Sequence, residues 1–249
     1  MTILSASNIT KKYDNLIVVE DVSIHLDENE LVCLLGVSGI GKSTLFHIMS
    51  GLLLPEQGRV FLKGENITGK PGRISYMQQK DLLLPYKSII DNVSLPLVIK
   101  GQKREAARME AERHFDKFGL AGTENKYPSQ LSGGMRQRAA LLRTYLFSGE
   151  AALLDEPFSA LDAITKTSMH NWYMEVMSEI ALPTIFITHD IDEAILLSDR
   201  IYIMSGAPGR ITEEIKISSK KPRSSDFLIS DEFIHYKREI LKLLHFKEI

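Results

Sequence analysis

The sequence predicts an α/β fold in which helices cover a mostly parallel β-sheet. Three continuous apolar runs of strand length, at residues 31–35, 151–154 and 184–188, are typical of strands buried on both faces. Segments of helical composition separate these runs, and such alternation indicates parallel strands joined by crossover helices. The chain has 249 residues, of which 44% are hydrophobic and 25% charged, so it can bury a substantial core.

The elements before residue 80 follow from β-rich composition, turn residues and a glycine-rich loop. The turn-forming sequence Tyr13-Asp14-Asn15 separates the first two predicted strands. The apolar run 31–35 leads into the glycine-rich loop, after which we expect a helix over 42–50. The other strands predicted here lie at 3–10, 16–26, 60–62 and 73–77.

The composition changes after Pro85. Residues 102–118 and 132–147 favour helix, which predicts a helical insertion inside the α/β domain, and a further helix is expected over 165–180. The polar segment 216–225 is typical of a linker. Four apolar residues then recur at helical spacing, namely Phe233, Tyr236, Ile240 and Leu244. We expect this C-terminal helix to dock on its own domain; binding to a partner is the alternative.

Bulk properties exclude several classes of function. The formal net charge of -2 gives no electrostatic case for binding nucleic acid. Cys33 is the only cysteine and lies in an apolar run, so we expect a buried hydrophobic side chain rather than a reactive thiol. No apolar run is long enough to span a bilayer, and the N-terminus does not resemble a secretory signal. Any membrane role is therefore expected to depend on a partner.

A phosphate-binding loop is indicated by residues 36–43, GVSGIGKS, which fit the pattern G-x-x-x-x-G-K-[ST]. The glycines allow successive backbone N–H groups to face a phosphate. Lys42 can supply positive charge to the β- and γ-phosphates, and the Ser43 hydroxyl can bind Mg²⁺. Because an apolar strand precedes the loop and a helix follows it, we prefer this interpretation to an ordinary glycine-rich turn.

Polar side chains end two of the predicted buried strands. Asp155 can complete the Mg²⁺ shell opposite Ser43, which leaves Glu156 to orient or deprotonate an attacking water. His189 follows the next strand, at the edge where ligands of parallel sheets bind, and can contact the γ-phosphate. Exposed acids and a structural histidine are the alternatives.

Two weaker candidates lie earlier in the chain. Gln79 follows a predicted strand and could reach the same metal and water, although a surface glutamine is the alternative. Tyr13 could stack on adenine, although a tyrosine in a turn usually only packs.

A second anion site is predicted at the turn Leu131-Ser132-Gly133-Gly134-Met135. If a helix begins here, Ser132 can cap it, and free backbone N–H groups point outward at its positive end. Such a site suits a phosphate. Two phosphate-facing helix starts on one chain indicate a nucleotide that is held from two sides.

Together these residues resemble the ATP-binding cassette family, the ATPase subunits of ABC transporters, over about residues 3–210. The motifs that carry the resemblance are, in chain order, the adenine-stacking Tyr13, the Walker A loop 36–44, the Q-loop Gln79, the signature 131–135, Walker B at 153–156, the D-loop 159–162 and the switch histidine His189. Gln79 is chosen over Gln78 because the family pattern Q-x-x-x-L-x-P is anchored by Pro85. Met135 replaces the usual signature glutamine.

The resemblance implies a P-loop NTPase (RecA-like) core with an N-terminal antiparallel β subdomain and an inserted α-helical subdomain near 86–148. The ATPase domain would cover 1–215, and a linker with an amphipathic helix would cover 216–249. The implied catalytic residues are Glu156, His189, Gln79 and Lys42, and the implied metal ligands are Ser43, Gln79 and Asp155. The implied ATP-binding residues are Tyr13, Gly36, Ser38, Gly39, Gly41, Lys42, Ser43, Thr44, Ser132, Gly133 and Gly134.

Partners are also implied by the resemblance. Two cassettes, expected to form a homodimer, would pair head to tail with ATP and Mg²⁺ between them. Transmembrane permease subunits would contact the segment 82–86, for which packing between subdomains is the alternative role. The chain would then lie at the cytoplasmic face of the membrane and serve an extracytoplasmic solute-binding protein indirectly, without nucleic acid.

Three short sequences resemble the nitrate/sulfonate/taurine group of importer ATPases, which includes transporters of pyrimidine-type thiamine precursors. They are LLLPY at 82–86, the LSGGM form of the signature, and APGRI at 207–211. The implied function is ATP hydrolysis that energises uptake of a small solute. A soluble ABC-type ATPase acting on nucleic acid or the ribosome is the alternative, but such chains usually carry a coiled coil or a second cassette. A P-loop kinase would not need the signature turn.

Overall fold

A computed structural model describes residues 1–147, 150–221, 223 and 225–245. The strands are β1 (Thr2–Tyr13), β2 (Leu16–Asp27), β3 (Leu31–Leu35), β4 (Gln57–Leu62), β5 (Glu65–Asn66), β6 (Ser75–Met77), β7 (Ala152–Asp155), β8 (Thr184–Thr188), β9 (Arg200–Ser205) and β10 (Arg210–Lys216). The helices are α1 (Lys42–Met49), α2 (Ile89–Val93), α3 (Leu95–Ile99), α4 (Arg104–Glu112), α5 (Gly133–Phe147), α6 (Ala163–Ile180), α7 (Ile191–Leu197) and α8 (Asp231–His245).

Two sheets organise these elements. The first is antiparallel, with strand order β2-β1-β4-β5, and the second has strand order β10-β9-β3-β8-β7-β6. In the second sheet all neighbouring strands are parallel except β10, which pairs antiparallel with β9. Helices α2 to α5 are inserted between β6 and β7. The predicted α/β fold is confirmed, with its antiparallel β subdomain and its helical insertion.

The core lies against the central strands of the parallel sheet. Every residue of β3, β7 and β8 is buried, which explains why their sequences are continuously apolar rather than alternating. Cys33 is fully buried in β3, and this burial raises the pKa of its thiol well above the ordinary value. The prediction that Cys33 is buried is therefore confirmed.

One predicted helix is too long. The charged segment 102–118 predicts a single helix, but α4 ends at Glu112 and the following residues form turns. Phe115 and Phe118 are both buried there, and Gly119 adopts a left-handed φ of 63°. A straight helix continued past Glu112 would carry these residues away from the core. The helix ends instead, and the turns that follow allow both aromatic rings to be buried.

The C-terminal helix docks on its own domain, as expected. Helix α8 packs on α7, and its residues Phe233 and Ile240 are buried. The buried Arg223 guanidinium donates to the carbonyl oxygens of Ile195, Leu196 and Ser198 at the end of α7, which ties the preceding segment to the same helix. Residues 222 and 224 of the predicted linker lie outside the described residues, and the domain boundary at 215 stays a prediction.

None of the described helices is both long enough and apolar enough to cross a bilayer.

Candidate active site

The phosphate loop connects β3 to α1. Gly41 is the residue before the first turn of α1 and has a φ of 106°, while Gly39 has a φ of 82°, so both adopt conformations that suit glycine. No side chain caps the start of α1, and a Cβ on Gly39 would meet nothing within 4 Å. The loop therefore leaves the backbone N–H groups at the start of α1 and the space in front of Gly39 available to an anion.

Lys42 folds back over this loop. Its Nζ donates to the carbonyl oxygens of Gly36 at 2.7 Å and Val37 at 2.8 Å. Burial lowers the pKa of Lys42, while the charges of Glu156 and Asp155 oppose that shift. The ammonium is thus held at the loop, where it can meet a phosphate without a large movement of the backbone.

Asp155 is the buried carboxylate at the end of β7. Its side chain is hydrogen-bonded to Ser43, and the Tyr76 hydroxyl donates to Oδ2 at 3.4 Å. Burial raises the pKa of Asp155, and the neighbouring charge of Glu156 adds to this effect. A buried carboxylate beside a serine hydroxyl is an oxygen donor set that fits Mg²⁺, because a cation would relieve the cost of burying the negative charge.

Glu156 joins two of the predicted catalytic side chains. Gln79 Nε2 donates to Oε2 at 3.0 Å, and His189 Nδ1 lies 3.1 Å from Oε1. Glu156 itself has a φ of 47°, a strained left-handed conformation for a non-glycine residue of the kind found at functional sites. The three residues follow β6, β7 and β8, which are neighbours in the parallel sheet, so their side chains meet at its carboxyl edge.

A cleft of about 320 Å³ lies between the phosphate loop and these strand ends. Its lining residues are Val18, Ser38, Gly39, Gly41, Lys42, Ser43, Thr44, Gln79, Asp155 and Glu156. The structure therefore brings most of the predicted residues together. Val18 was not predicted, since an apolar residue in a strand carries no local signal of ligand contact.

Some predicted residues lie outside this cleft. Among the described residues, those that line it include neither Tyr13 nor any of 132–134. Tyr13 is 46% exposed, with the Lys11 ammonium 5.5 Å from the centre of its ring. Gly36 is the first residue of the loop but does not line the cleft, and its carbonyl oxygen accepts from Lys42.

The signature turn has the predicted local geometry. Ser132 Oγ accepts from the backbone N–H of Met135 at 3.3 Å, at the start of α5. A Cβ on Gly134 would lie 3.3 Å from the Thr165 side chain, so the turn lies beside the beginning of α6. One chain thus holds the two predicted anion sites at separate places.

A further turn, unassigned by sequence reasoning, packs against the back of the phosphate loop. The link between β9 and β10 contains Gly209, whose N–H donates to Val18 and whose carbonyl accepts from Glu20, both at 3.0 Å. A Cβ on Gly209 would overlap the carbonyl oxygen of Ile40, which is part of the loop. The sequence APGRI at 207–211, which resembles that of one group of importer ATPases, therefore also has a structural role beside the site.

Comparison with known proteins identifies the family. The ABC transporter family model matches residues 19–159. The formylaminopyrimidine import ATP-binding protein ThiZ of Halalkalibacterium halodurans is 46% identical over 200 residues, which cover 80% of this chain and 78% of that protein. The nitrate import ATP-binding protein NrtD of Synechocystis is 32% identical over 243 residues, covering 95% and 91%.

Solved structures agree with this assignment. The dimeric bacterial ABC transporter cassette MJ0796 matches with a TM-score of 0.75 at 27% identity and covers 88% of this chain and 100% of that one. The protein cbiO1 of Clostridium perfringens matches with a TM-score of 0.79 at 22% identity, covering 100% and 99%, which supports the fold alone. The chain therefore belongs to the ATP-binding protein family of ABC transporters and is an ATPase of that family.

Proposed function

We propose that this chain is the ATP-hydrolysing subunit of an ABC importer and drives uptake of a small solute through a separate permease. The observation that carries the proposal is the position of Glu156, held by Gln79 and His189 at the mouth of the phosphate-loop cleft. The import direction is supported by the relatives, which are named for import of formylaminopyrimidine, nitrate and aliphatic sulfonates.

The chemistry follows from the side chains of the cleft. The N–H groups at the start of α1 and the ammonium of Lys42 neutralise the triphosphate. Glu156 orients or deprotonates the water that attacks the γ-phosphate, and His189 lies where it can contact that phosphate. Mg²⁺, held by Ser43, Asp155 and Gln79, would supply positive charge to the β- and γ-phosphate oxygens when bound.

A second copy of the chain completes the site. The signature turn does not line the cleft of its own chain and stands at the start of α5, where the backbone N–H groups of Ser132, Gly133 and Gly134 would offer an anion site. Two cassettes paired head to tail would place this turn over the ATP of the partner, with Tyr13 against the adenine. The dimeric cassette MJ0796 supports the pairing of two cassettes. A homodimer has two equivalent sites related by a two-fold axis.

The permease contact is assigned to a groove of about 410 Å³ between the helical insertion and the core. Its apolar lining includes Leu52, Leu82, Leu84, Leu95, Pro96, Ile99 and Phe147. Leu52 and Ile99 are more than half exposed, which is unusual for large apolar side chains unless a partner covers them. Through the permease the chain would lie at the cytoplasmic face of the membrane and act indirectly with a solute-binding protein, without nucleic acid.

The groove is linked to the catalytic residues by the segment after Gln79. Arg143 of α5 donates to the carbonyl oxygens of Leu82 at 2.8 Å and Asp81 at 2.5 Å, and Arg136 lies 3.3 Å from the Asp81 carboxylate. A partner seated on Leu82 would therefore act on the backbone that positions Gln79.

Capture of the ATP-bound dimer tests the proposal. The variant Glu156→Gln keeps the shape of the side chain but removes the base, so we expect it to dimerise with ATP and Mg²⁺ and to remain monomeric with ADP. Size-exclusion chromatography with light scattering measures the mass. The double variant Glu156→Gln/Ser132→Arg, which blocks the signature turn, is the matched control and should stay monomeric. A monomeric Glu156→Gln protein at saturating ATP would contradict the two-sided site.

The importer role needs its own experiment. Co-expression with the permease subunits that it serves should yield a complex that co-purifies from membranes, and the ATPase rate of that complex in proteoliposomes should rise when the cognate binding protein and solute are added. Movement of the solute out of the compartment that holds the ATPase subunit and ATP would contradict import.

A further inference from the structure

Four titratable side chains form a cluster between α6 and α7, directly behind the switch histidine. Lys166 Nζ lies 2.6 Å from Asp190 Oδ2 and 3.0 Å from Glu193 Oε2, and His170 Nε2 lies 3.4 Å from the same oxygen of Glu193. Glu193 is only 3% exposed and His170 is also buried. We call this group the Lys166 cluster. None of its members lines the nucleotide cleft.

The cluster joins the starts of two helices. Asp162, the last residue of the D-loop, caps α6 by accepting from the backbone N–H of Thr165, and Lys166 follows in the same turn. Asp190 comes directly after His189 and caps α7 by accepting from the N–H groups of Asp192 and Glu193. One ammonium group therefore fixes the distance between the helix that begins after the D-loop and the helix that begins after His189.

The electrostatics make this contact specific. The first turn of a helix is its positive end, so a lysine is disfavoured there unless carboxylates compensate it. Burial disfavours the charge of Lys166, but the hydrogen bonds and charges of Asp190 and Glu193 outweigh this, and its pKa is raised. Glu193 in turn would be an uncompensated buried charge without Lys166. The pairing is thus maintained from both sides.

The cluster also touches the catalytic strand end. Phe158, two residues after Glu156, is buried, and its ring lies 4.9 Å from the His170 ring, measured between centroids. The Ser159 hydroxyl donates to the carbonyl oxygen of Glu156 at 3.0 Å. The D-loop is therefore connected to Glu156 on one side and, through Lys166, to the residue after His189 on the other.

We propose that Lys166 is a positioning residue that sets the place of His189 relative to Glu156 and transmits displacement of the D-loop to His189. The inference rests on the proposed function, because it assigns Lys166 a role in ATP hydrolysis. When a second cassette contacts the D-loop, the start of α6 moves with it, and the ion pair carries Asp190 and the adjoining His189 along.

The first test compares Lys166→Met with Lys166→Arg and with Lys237→Met. Lys237 is the matched control because its Nζ also donates to an acid in the first turn of α7, Asp192, at 2.9 Å. It comes from α8, and within the described residues it makes no hydrogen bond or ion pair with the D-loop. We expect kcat for ATP to fall on the order of tenfold in Lys166→Met with KM changed less than about twofold. Lys166→Arg should retain most of kcat, and Lys237→Met should behave as wild type.

The second test separates positioning from general weakening of the structure. If Lys166 acts through His189, adding Lys166→Met to His189→Ala should cause no further loss of kcat. If the two residues had independent roles, their fold losses of kcat would multiply. Should Lys166→Met fail to fold because Glu193 is left unpaired, the double variant Lys166→Met/Glu193→Gln removes both charges and serves the same test.

Two results would overturn the inference: a kcat of Lys166→Met equal to that of Lys237→Met, or an undiminished loss in the His189→Ala background. Absence of ATP hydrolysis by the wild-type protein would instead contradict the proposed function, so the two failures are distinguishable.

Discussion

The turn behind the phosphate loop offers a direct test of how the fold positions the nucleotide. Replacing Gly209 with Ala would place a methyl group 2.6 Å from Met204 Cε and still closer to the carbonyl oxygen of Ile40. Ordinary contacts of a Cβ begin near 3.4 Å, so the turn must move by about 0.8 Å relative to the methionine and by more than that relative to the loop. The methionine can rotate away, but the backbone carbonyl of the phosphate loop cannot.

The size of the effect follows from this overlap. Overpacking of this kind costs about 1–3 kcal/mol. If the loop yields, its N–H groups leave their positions, and the same energy appears as a loss of ATP affinity of roughly 5-fold to 150-fold. Titration with a fluorescent ATP analogue measures the affinity, and urea unfolding measures the free energy of unfolding.

Gly122→Ala is the control for a loss of stability away from the site. Gly122 lies in the helical insertion, and a Cβ there would meet nothing within 4 Å, but its φ of 76° imposes a backbone strain that Gly209→Ala does not have. We expect it to lose stability without losing ATP affinity. An ATP affinity of Gly209→Ala within twofold of wild type would refute the argument that this turn holds the loop in place.

Two further predictions concern the buried charges near the site. Asp155→Asn should reduce ATP hydrolysis by at least roughly tenfold yet make the nucleotide-free protein more stable in urea at pH 7. Because burial raises the pKa of Asp155, that gain should shrink as the pH falls towards the unfolded pKa near 4, and a gain independent of pH would contradict this origin. Arg143→Met should lower the free energy of unfolding by about 1–3 kcal/mol, since the carbonyl oxygens of Asp81 and Leu82 lose a charged donor. The same change at the exposed Arg113 should have little effect, and equal losses at both sites would show that the carbonyl contacts contribute nothing.

The sequence could predict those parts of the site that depend on local chain geometry. The phosphate loop and the start of α5 are set by glycine positions and capping residues within a few residues of each other. Gln79, Glu156 and His189 were predictable for a different reason, since each follows a strand and parallel strands end at one edge. Their actual contact depends on the order β8-β7-β6, which the sequence pattern does not specify.

Other features depend on pairs far apart in the chain. In the sequence, Lys166 and Glu193 resemble ordinary charged residues on the solvent-facing side of helices. Only the packing of the two helices shows that Glu193 is buried. The contact of Gly209 with the phosphate loop likewise follows from β9 lying beside β3. The prediction of one helix over 102–118 was wrong because it relied on charge and helix propensity alone. It did not include the tertiary requirement that Phe115 and Phe118 are both buried.

Glu156 is held by two side chains that lead to different parts of the structure. Gln79 donates to Oε2 and His189 Nδ1 lies 3.1 Å from Oε1, so each oxygen has one side-chain contact and can still accept a hydrogen bond from water. Gln79 is followed by the segment that lines the permease groove. His189 is followed by Asp190, which Lys166 connects to the helix that begins after the D-loop. The position of the base therefore depends on the two surfaces where partners are proposed to bind.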